Sequence, residues 1–245
     1  MARVRWRLVD LQQCPVIPEL ASYSLAGICR LLQRMGIHYK RGRIHLHSPD
    51  PAYAEKVFAL NQLRVLARRR PDRVRLLYAD EVGVYRQPTL ADRYACCAHE
   101  PIAPLSARAN TRWRLGGALD IVTGEVTYVE GAIVGVDALC ALLTRLRARY
   151  PDQILVLAWD NWPVHRLASV LACAARLHIH LRWLPTYAPW TNPIERLWRW
   201  MRQTCIHHHQ RADQWETLHT DVRAFLDQFA HGSTDLLRYV GLLPV

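Results

Sequence analysis

Two apolar runs in this sequence each end at an aspartate, and this pattern constrains the fold more than any other feature. LLYAD ends at Asp80, and ILVLAWD ends at Asp160. The second run reads as a strand buried on both faces, and open sheets place ligand sites at the carboxyl ends of such strands. We therefore expect the two carboxylates to point toward one region at the edge of a sheet.

The sequence beyond residue 71 alternates between strand and helix patterns. Strands are predicted at VRLLYAD, near RYACCA, at RWRLGGALD and at EVTYVEGAIV, followed by a helix at ALCALLTRLRARY. A strand at QILVLAW, a helix from about Pro163, a short strand at HLRWLP and helices from Pro193 complete the order. This order predicts an α/β fold, in which a mixed sheet is covered by helices.

A third carboxylate, Glu195, lies in the string LPTYAPWTNPIERLW at the start of a predicted amphipathic helix. Taken alone it has a structural explanation, because Asn192 and Glu195 have the spacing of a helix capping box. Asp160 also has one, since it precedes a helix that opens with a proline. Glu81 must point to the opposite face of its strand from Asp80, so it ranks lower as a candidate ligand.

Three converging carboxylates suit phosphoryl transfer. Cleavage of a phosphodiester needs an activated nucleophile on one side of phosphorus and a stabilised leaving oxygen on the other, and two divalent cations can supply both. Magnesium binds oxygen ligands and takes the remaining ones from water and substrate phosphate. Asp80, Asp160 and Glu195 are thus the predicted catalytic residues and metal ligands.

Positive charge is concentrated in the N-terminal segment. Residues 1–70 hold 13 Lys and Arg against 4 Asp and Glu, a surplus of 9, whereas the other residues hold 19 against 17, a surplus of 2. Each cation placed on a phosphate releases a condensed counterion, so such a segment indicates nucleic acid as the partner. A basic helical cap without a DNA role is the alternative.

Residues 1–50 have the pattern of a small all-α helix-turn-helix module with a winged-helix-like arm. Two short helices are expected before a longer helix at 25–35, on which Arg30 and Arg34 lie off the apolar stripe. The basic segment that follows would form the arm. The candidate DNA contacts of this module are Arg30, Arg34, Lys40, Arg41 and Arg43.

The remaining domain boundaries follow from the same patterns. Residues 51–71 predict a linker helix, residues 72–232 the catalytic domain and residues 233–245 a C-terminal tail. No apolar stretch approaches the roughly 20 residues that span a bilayer, and the charged start MARVRWRLVD precedes no signal-peptide core. We therefore expect a cytoplasmic, nucleoid-associated protein with no membrane contact.

Three motifs resemble those of the DDE transposases of the mariner-like superfamily, particularly its bacterial insertion-sequence branch. LLYADEVGVY is similar to the first motif, VLAWDNWPVH to the second and LPTYAPWTNPIERLW to the third. The second and third acids are 195 − 160 = 35 positions apart, which leaves the 34 intervening residues that this superfamily uses. The segment SLAGICRLLQRMGIHYKRGRIHLHSPDPAYAEK is similar to the end of its DNA-binding region and linker.

This resemblance implies an RNase H-like domain with a mixed five-stranded sheet, in which Asp80, Asp160 and Glu195 hold two Mg²⁺ or Mn²⁺ ions. It also implies cut-and-paste transposition on double-stranded DNA. Water attacks a phosphodiester at a terminal inverted repeat, and the freed 3′ hydroxyl then attacks target DNA, usually at a TA step. A homodimer is expected on DNA.

Several other residues match the motifs or lie beside them. Asn161, His165 and Asn192 match the family as supporting residues, and His165 could orient Asp160, contact DNA or be an ordinary packed histidine. Arginines on the helix that Glu195 opens are candidates for phosphate contacts. They are Arg196, Arg199 and Arg202.

Other interpretations stay open. Members of the family usually carry two helix-turn-helix units, and this chain has room for one, so it is expected to be a shortened or partial copy. A catalytically silent DNA-binding remnant, or a truncated copy acting as a repressor, is the main alternative. A ribonuclease or repair nuclease that shares the catalytic fold is another.

Overall fold

The computed structural model describes residues 6–39, 47–92, 94–95 and 102–244 and divides the chain into two compact units. The first unit spans residues 1–46 and the second spans residues 47–245. The predicted linker helix is therefore part of the second unit.

The first unit is helical. It contains α1 (Leu8–Gln12), a 3₁₀ turn (Pro18–Ser22) and α2 (Leu25–Arg34). Ser24 caps α2, because its hydroxyl accepts a hydrogen bond from the Gly27 N–H at 3.1 Å. After the helix Gly36 has φ +75°, a conformation that costs glycine little and that ends many helices. The predicted arm residues Lys40, Arg41 and Arg43 lie outside the described residues.

The second unit is built on a five-stranded sheet in the order β3-β2-β1-β4-β5. Its strands are β1 (Val74–Tyr85), β2 (Arg112–Asp120), β3 (Val126–Gly131), β4 (Ile154–Trp159) and β5 (Ile179–Trp183). The pairs β1–β2 and β2–β3 are antiparallel, whereas β1–β4 and β4–β5 are parallel. The expected mixed five-stranded sheet is confirmed.

Helices cover both faces of the sheet. They are α3 (Tyr53–Arg69), α4 (Val136–Arg149), α5 (Ala168–Arg176), α6 (Ile194–Met201), α7 (Trp215–Asp227) and α8 (Thr234–Tyr239). One core joins α3, α6, α7 and α8 to the sheet face that carries Tyr78 and Val82. The other joins α4 and α5 to the face that carries Leu77 and Ala79. The alternation of β1 side chains therefore divides the two cores.

Some local expectations were wrong. β1 does not end at Asp80 but continues to Tyr85, because β2 pairs with it as far as the pair Tyr85–Arg112. The apolar periodicity of residues 51–70 predicts Phe58 and Leu66 on the core side of α3, but both are exposed. The face of α3 that is buried runs instead through Leu60 and Ala67. The predicted strand near RYACCA falls largely outside the described residues, and Tyr94 and Ala95 form no strand.

The segment 233–245 is not a tail. Ser233 caps α8 through its hydroxyl, which accepts from the Leu236 N–H at 3.1 Å. Leu236 is fully buried, and Leu237 and Val240 are nearly so. These side chains complete the core on the α6 face of the sheet, so this short apolar helix contributes to folding.

Among the described residues, no helix has both the length and the apolar character needed to cross a lipid bilayer.

Candidate active site

The sheet register brings two of the predicted acids to the same level. In the parallel pair β1–β4, Tyr78 lies opposite Ala158. Asp80 and Asp160 each follow two residues later, Asp160 just beyond the end of β4, and both line the same cavity. The convergence expected at the carboxyl edge of these strands therefore follows from pairing and side-chain alternation.

Helix α6 brings the third acid to this edge. Ile194, Leu197 and Trp198 are fully buried against the sheet, and Glu195 projects from the first turn between them. Gly117, the β2 partner of Asp80, permits this close approach. A Cβ at Gly117 would lie 2.7 Å from a ring carbon of Trp198, which is shorter than any ordinary contact.

Asp80, Asp160 and Glu195 line one cavity of about 430 Å³. Asn161 and Asn192, two of the predicted supporting residues, line it as well. The structure thus brings all three predicted catalytic acids to one cavity.

Asp80 has no cationic partner among the described residues. Its carboxylate accepts one hydrogen bond from the Trp198 indole N–H at 3.1 Å. Burial, together with the negative charges of Glu195, Glu81 and Asp160, raises the pKa of Asp80 well above its ordinary value. A cation placed in the cavity would relieve this unfavourable environment.

Asp160 is held by a histidine. The His165 Nδ1 lies 2.8 Å from an Asp160 carboxylate oxygen, and the His165 Nε2 lies 3.0 Å from Glu81 Oε1. His165 is fully buried, with the Trp159 ring stacked on it at 3.9 Å. The three side chains form the chain Glu81–His165–Asp160, which links the two faces of the sheet at this edge.

The protonation of this chain follows from its contacts. Burial works to lower the pKa of His165, but the hydrogen bonds to Asp160 and Glu81 outweigh it and raise that pKa to about 9. Burial likewise works to raise the pKa of Asp160, and the hydrogen bonds from His165 and from the Trp162 N–H outweigh it and lower that pKa. The contacts of both ring nitrogens with carboxylates thus favour the protonated form of His165.

Glu195 does not form the capping box that its spacing predicted. The first turn of α6 has no side-chain cap, because the amide of Asn192 donates instead to the Ala79 carbonyl at 3.0 Å. Burial raises the pKa of Glu195, while the charge of Arg202 works to lower it. The carboxylate of Glu195 is thus free of a capping role.

The two supporting asparagines hold the walls of the cavity. Asn161 donates to the Leu184 carbonyl at 2.7 Å. Asn192 is nearly buried, and its Oδ1 has no hydrogen-bond partner within the described part of the chain. A buried amide oxygen without a partner, on the same cavity as three carboxylates, is available to a ligand or to water.

The arginines of the α6 region have different roles. Arg196 donates to the Val240 carbonyl at 3.0 Å and so ties α6 to the segment after α8, which is a structural contact that the sequence did not indicate. Arg199 is exposed. Arg202 lines a second cavity, of about 400 Å³, together with Glu81, Arg112 and Arg114. Of the three, Arg202 is the one with an electrostatic effect on a predicted catalytic acid.

The acids do not form a preassembled metal cage. In the part of the chain that the structure describes, no group of three or more His, Cys, Asp and Glu side chains is arranged to enclose a metal ion. Two of the acids instead contact other side chains or backbone groups. Asp80 contacts Trp198, and Asp160 contacts His165 and the Trp162 N–H. The donors around the cavity are nevertheless carboxylate and amide oxygens, the ligand type that magnesium and manganese prefer.

The sequence did not reveal several residues that shape this site. The amphipathic pattern of α6 predicts Trp198 only as a core residue, and no pattern singles out Arg112 or Arg114. Glu81 was correctly placed on the opposite face from Asp80, but its contact with His165 was not foreseen. These positions are distant from one another in the sequence, and only the tertiary contacts bring them together.

Comparison with known proteins identifies the family of the chain. The DDE superfamily endonuclease family matches residues 75–219, which is more than half of the chain. The chain belongs to the DDE superfamily endonuclease family. The matched region contains all but the first residue of β1, together with β4 and α6, and with them all three acids of the cavity.

A protein of an insertion element is similar in sequence to this DDE superfamily endonuclease. The uncharacterized 39 kDa protein of insertion element IS630 from Shigella sonnei is 27% identical over 201 residues, which cover 81% of this chain and 57% of that protein. The chain therefore spans little more than half the length of this curated relative.

Solved structures show the same fold. The Mos1 transposase paired-end complex with left transposon end matches with a TM-score of 0.63 and 19% identity, over 100% of this chain and 77% of the other. The Mos1 mariner paired-end complex with Mn matches with a TM-score of 0.61 and 20% identity, over the same shares of both chains. The predicted family and the RNase H-like α/β fold are confirmed.

Proposed function

We propose that this chain is a DNA transposase that cleaves phosphodiesters at the terminal inverted repeats of a mobile element and transfers the freed strand to target DNA. Asp80, Asp160 and Glu195 would be its catalytic residues and metal ligands. The observation that carries this proposal is that these three carboxylates, which come from two strands and one helix, line one cavity.

The comparisons support the choice of reaction. One Mos1 structure is a strand transfer complex, and another is a paired-end complex with Mn. Both describe that transposase, and they motivate the same reaction class for a family member with the same fold. Double-stranded DNA, as terminal repeats and as target, is the proposed substrate, and a homodimer that bridges two DNA ends is the proposed assembly.

The residues around the cavity fit two divalent cations, Mg²⁺ or Mn²⁺. The donors are oxygens, the buried Asp80 carboxyl has a raised pKa, and the Asn192 Oδ1 has no partner in the described residues. When bound, the ions would supply an activated attacking oxygen and charge stabilisation at the leaving oxygen. Water and substrate phosphate would have to complete the ligand set, since the protein side chains do not enclose an ion alone.

The chain's own residues would orient the acids and hold the DNA. His165 fixes the Asp160 carboxylate from behind, and Trp198 fixes that of Asp80. Arg199 and Arg202 would contact phosphates near the cavity. In the first unit, Arg30 and Arg34 are exposed on α2 and would contact the backbone of the repeat, together with Lys40, Arg41 and Arg43.

The test is cleavage of DNA duplexes that carry the sequences flanking the reading frame, with strand breaks mapped on denaturing gels. We expect breaks at the element ends in Mg²⁺ or Mn²⁺, none in EDTA, and none for Asp160→Ala. Asp152→Ala is the matched control, because Asp152 is exposed and does not line the cavity.

The alternatives give other results in the same assay. Tight binding without cleavage in any divalent ion would favour the silent remnant or repressor. Cleavage of an RNA/DNA hybrid, with intact DNA duplexes, would favour a ribonuclease. Cleavage by Asp160→Ala at the wild-type rate would remove Asp160 from the proposed machinery.

A further inference from the structure

The cavity that contains the three acids has a second, apolar wall. The carboxylates and Asn192 occupy one side, and rings and prolines occupy the other. This second wall consists of Trp162, Pro163, Leu184, Pro185, Tyr187, Ala188 and Pro189. A charged phosphate is not stabilised by contact with an apolar surface. The flat face of a nucleobase, in contrast, binds well to aromatic and apolar side chains.

Tyr187 is the least ordinary residue of this wall. Its side chain is 79% exposed, so core packing does not account for it. Its φ is +52°, in the left-handed region that residues with a bulky side chain rarely adopt. Strained backbone of this kind persists only where surrounding contacts hold it, and it occurs often at functional sites.

Such contacts surround Thr186, the neighbour of Tyr187. The Ser48 hydroxyl donates to the Thr186 carbonyl at 2.6 Å, and the Thr186 N–H donates to the Asp50 carboxylate at 2.8 Å. Lys56 in turn holds Asp50 at 2.6 Å. Both backbone polar groups of Thr186 are therefore held by side chains from the segment that leads into α3, so the backbone next to Tyr187 is held from outside its own loop.

Trp162 provides a second ring beside the acids. Its backbone N–H donates to the Asp160 carboxylate at 3.0 Å, and its ring meets His165 edge-on with centroids 5.4 Å apart. The ring is only partly buried and lines the cavity. The backbone of Trp162 is thus hydrogen-bonded to a proposed catalytic acid, and Tyr187 follows a residue whose backbone is held by side chains of another segment.

We propose that the wall formed by Trp162, Tyr187 and the prolines between them binds an unstacked nucleobase of the DNA strand whose phosphate lies at the acids. Tyr187 stacks on that base and thereby positions the scissile phosphate. This inference rests on the proposed function for its substrate class. A base removed from the duplex stack exposes a flat apolar face of the kind that this wall accommodates.

The test uses a DNA duplex with a three-nucleotide 3′ overhang in which 2-aminopurine replaces each overhang base in turn. Binding is measured with the full chain in Ca²⁺, so that fluorescence reports base stacking. Tyr187→Phe keeps the ring. Tyr187→Asn removes it while tolerating the positive φ, since Asn is enriched in that conformation. Tyr94→Asn is the matched control, because Tyr94 is fully exposed and lies outside this cavity.

We expect wild type, Tyr187→Phe and Tyr94→Asn to quench the emission of 2-aminopurine at one overhang position. Tyr187→Asn should lose that quenching and bind the overhang roughly tenfold more weakly, the usual effect of removing one stacking ring. Equal quenching and affinity for wild type and Tyr187→Asn would overturn the proposal, as would absence of quenching by wild type at every overhang position.

Cleavage of the flanking-sequence duplexes is measured in Mg²⁺ in parallel, which separates the two proposals. If wild type never cleaves but quenches through Tyr187, the stacking site stands and the proposed function fails. If wild type cleaves and Tyr187→Asn matches it in quenching and in kcat/KM, the stacking site fails and the proposed function stands.

Discussion

Buried acids at the two ends of the sheet have opposite surroundings. At the end away from the cavity, Asp120 is fully buried and accepts hydrogen bonds from Arg75 at 3.3 Å and from the Val122 N–H at 2.6 Å. Nearby, Glu125 pairs with Arg149 and accepts a hydrogen bond from the Tyr150 hydroxyl. At the cavity end, Asp80 has an indole N–H and no arginine or lysine among the described residues.

The difference separates acids that hold the fold from acids that await a ligand. A buried carboxylate costs free energy unless it is paired, and Asp120 and Glu125 meet that requirement within the chain. Asp80 does not, and its pKa is raised well above the ordinary value by burial and by the neighbouring acids. A chain that leaves such a group unpaired gains nothing in stability from it, so the group is expected to have a use.

The largest effect is expected from Asp80→Asn. Cleavage of element-end DNA should fall on the order of 10³-fold or more, the usual result of removing one member of a catalytic unit. The free energy of unfolding should stay the same or rise, because a buried unpaired charge is lost. Gel-based cleavage and urea unfolding monitor the two quantities. A clear loss of stability would place Asp80 with the structural acids.

Asp120→Ala should give the reverse pattern. It leaves the mostly buried Arg75 side chain without its partner and frees the Val122 and Thr123 N–H groups, so the protein should be less stable by about 3 kcal/mol. Urea unfolding measures this, with the exposed Asp152→Ala as control. The folded fraction should still cleave normally. If the free energy of unfolding falls by less than about 1 kcal/mol, the size expected of a surface pair, Asp120 is not a structural acid and the two ends of the sheet do not differ in this way.

Glu81→Gln tests whether the contact between Glu81 and His165 helps to position Asp160. Gln removes the charge that faces His165 while keeping the side-chain shape. We expect the Mg²⁺ concentration for half-maximal cleavage to rise about 10- to 100-fold, as for other residues that orient a metal ligand. The rate at saturating Mg²⁺ should change less. Glu130→Gln is the control, since Glu130 also pairs with a basic side chain but lies away from the cavity. If Glu81→Gln and Glu130→Gln need the same Mg²⁺ concentration for half-maximal cleavage, the chain from Glu81 through His165 does not position Asp160, and His165 is only a packing residue.

The features that the sequence predicted well are those encoded locally. β2 coincides with the run RWRLGGALD, and the two-residue alternation correctly put Asp80 and Glu81 on opposite faces. The meeting of Asp80 with Asp160 was predictable because parallel strands carry their carboxyl ends to one edge. Each of these inferences needs only the pattern of a few consecutive residues.

The features that the sequence missed depend on contacts between distant positions. Trp198 reaches Asp80 only because Gly117, on a third element, leaves room for its ring. Arg196 looked like a phosphate ligand, but its guanidinium meets the Val240 carbonyl 44 positions away. The spacing of Asn192 and Glu195 also predicted a capping box. The Asn192 side chain does not cap α6, because its amide donates a hydrogen bond to the Ala79 carbonyl of β1 instead. Local propensity gives way wherever tertiary contacts offer a better partner.

The smallest effect concerns Asp50, a paired acid next to the cavity loop. Its hydrogen bonds with Lys56 and with the Thr186 N–H lower its pKa to about 2. Because the folded-state pKa is below the unfolded value of about 3.9, this carboxylate stabilises the fold above pH 4 and loses that contribution as the pH falls toward 2. Asp50→Asn should therefore be less stable than wild type at pH 6, and the difference should shrink steadily between pH 4 and pH 2.

Urea unfolding midpoints of wild type and Asp50→Asn across this pH range measure the difference in stability. Because both proteins contain the same other titrating groups, the effects of those groups cancel. Glu55→Gln is the control, since Glu55 is exposed near the same helix start. A difference that stays constant down to pH 2 would mean that the Asp50 charge does not contribute, and that shape alone holds the loop. If the stability difference between wild type and Asp50→Asn shrinks as the pH falls, Asp50 is a paired structural acid like Asp120, although it lies next to the cavity loop. Asp80 would then remain the acid that the fold does not need.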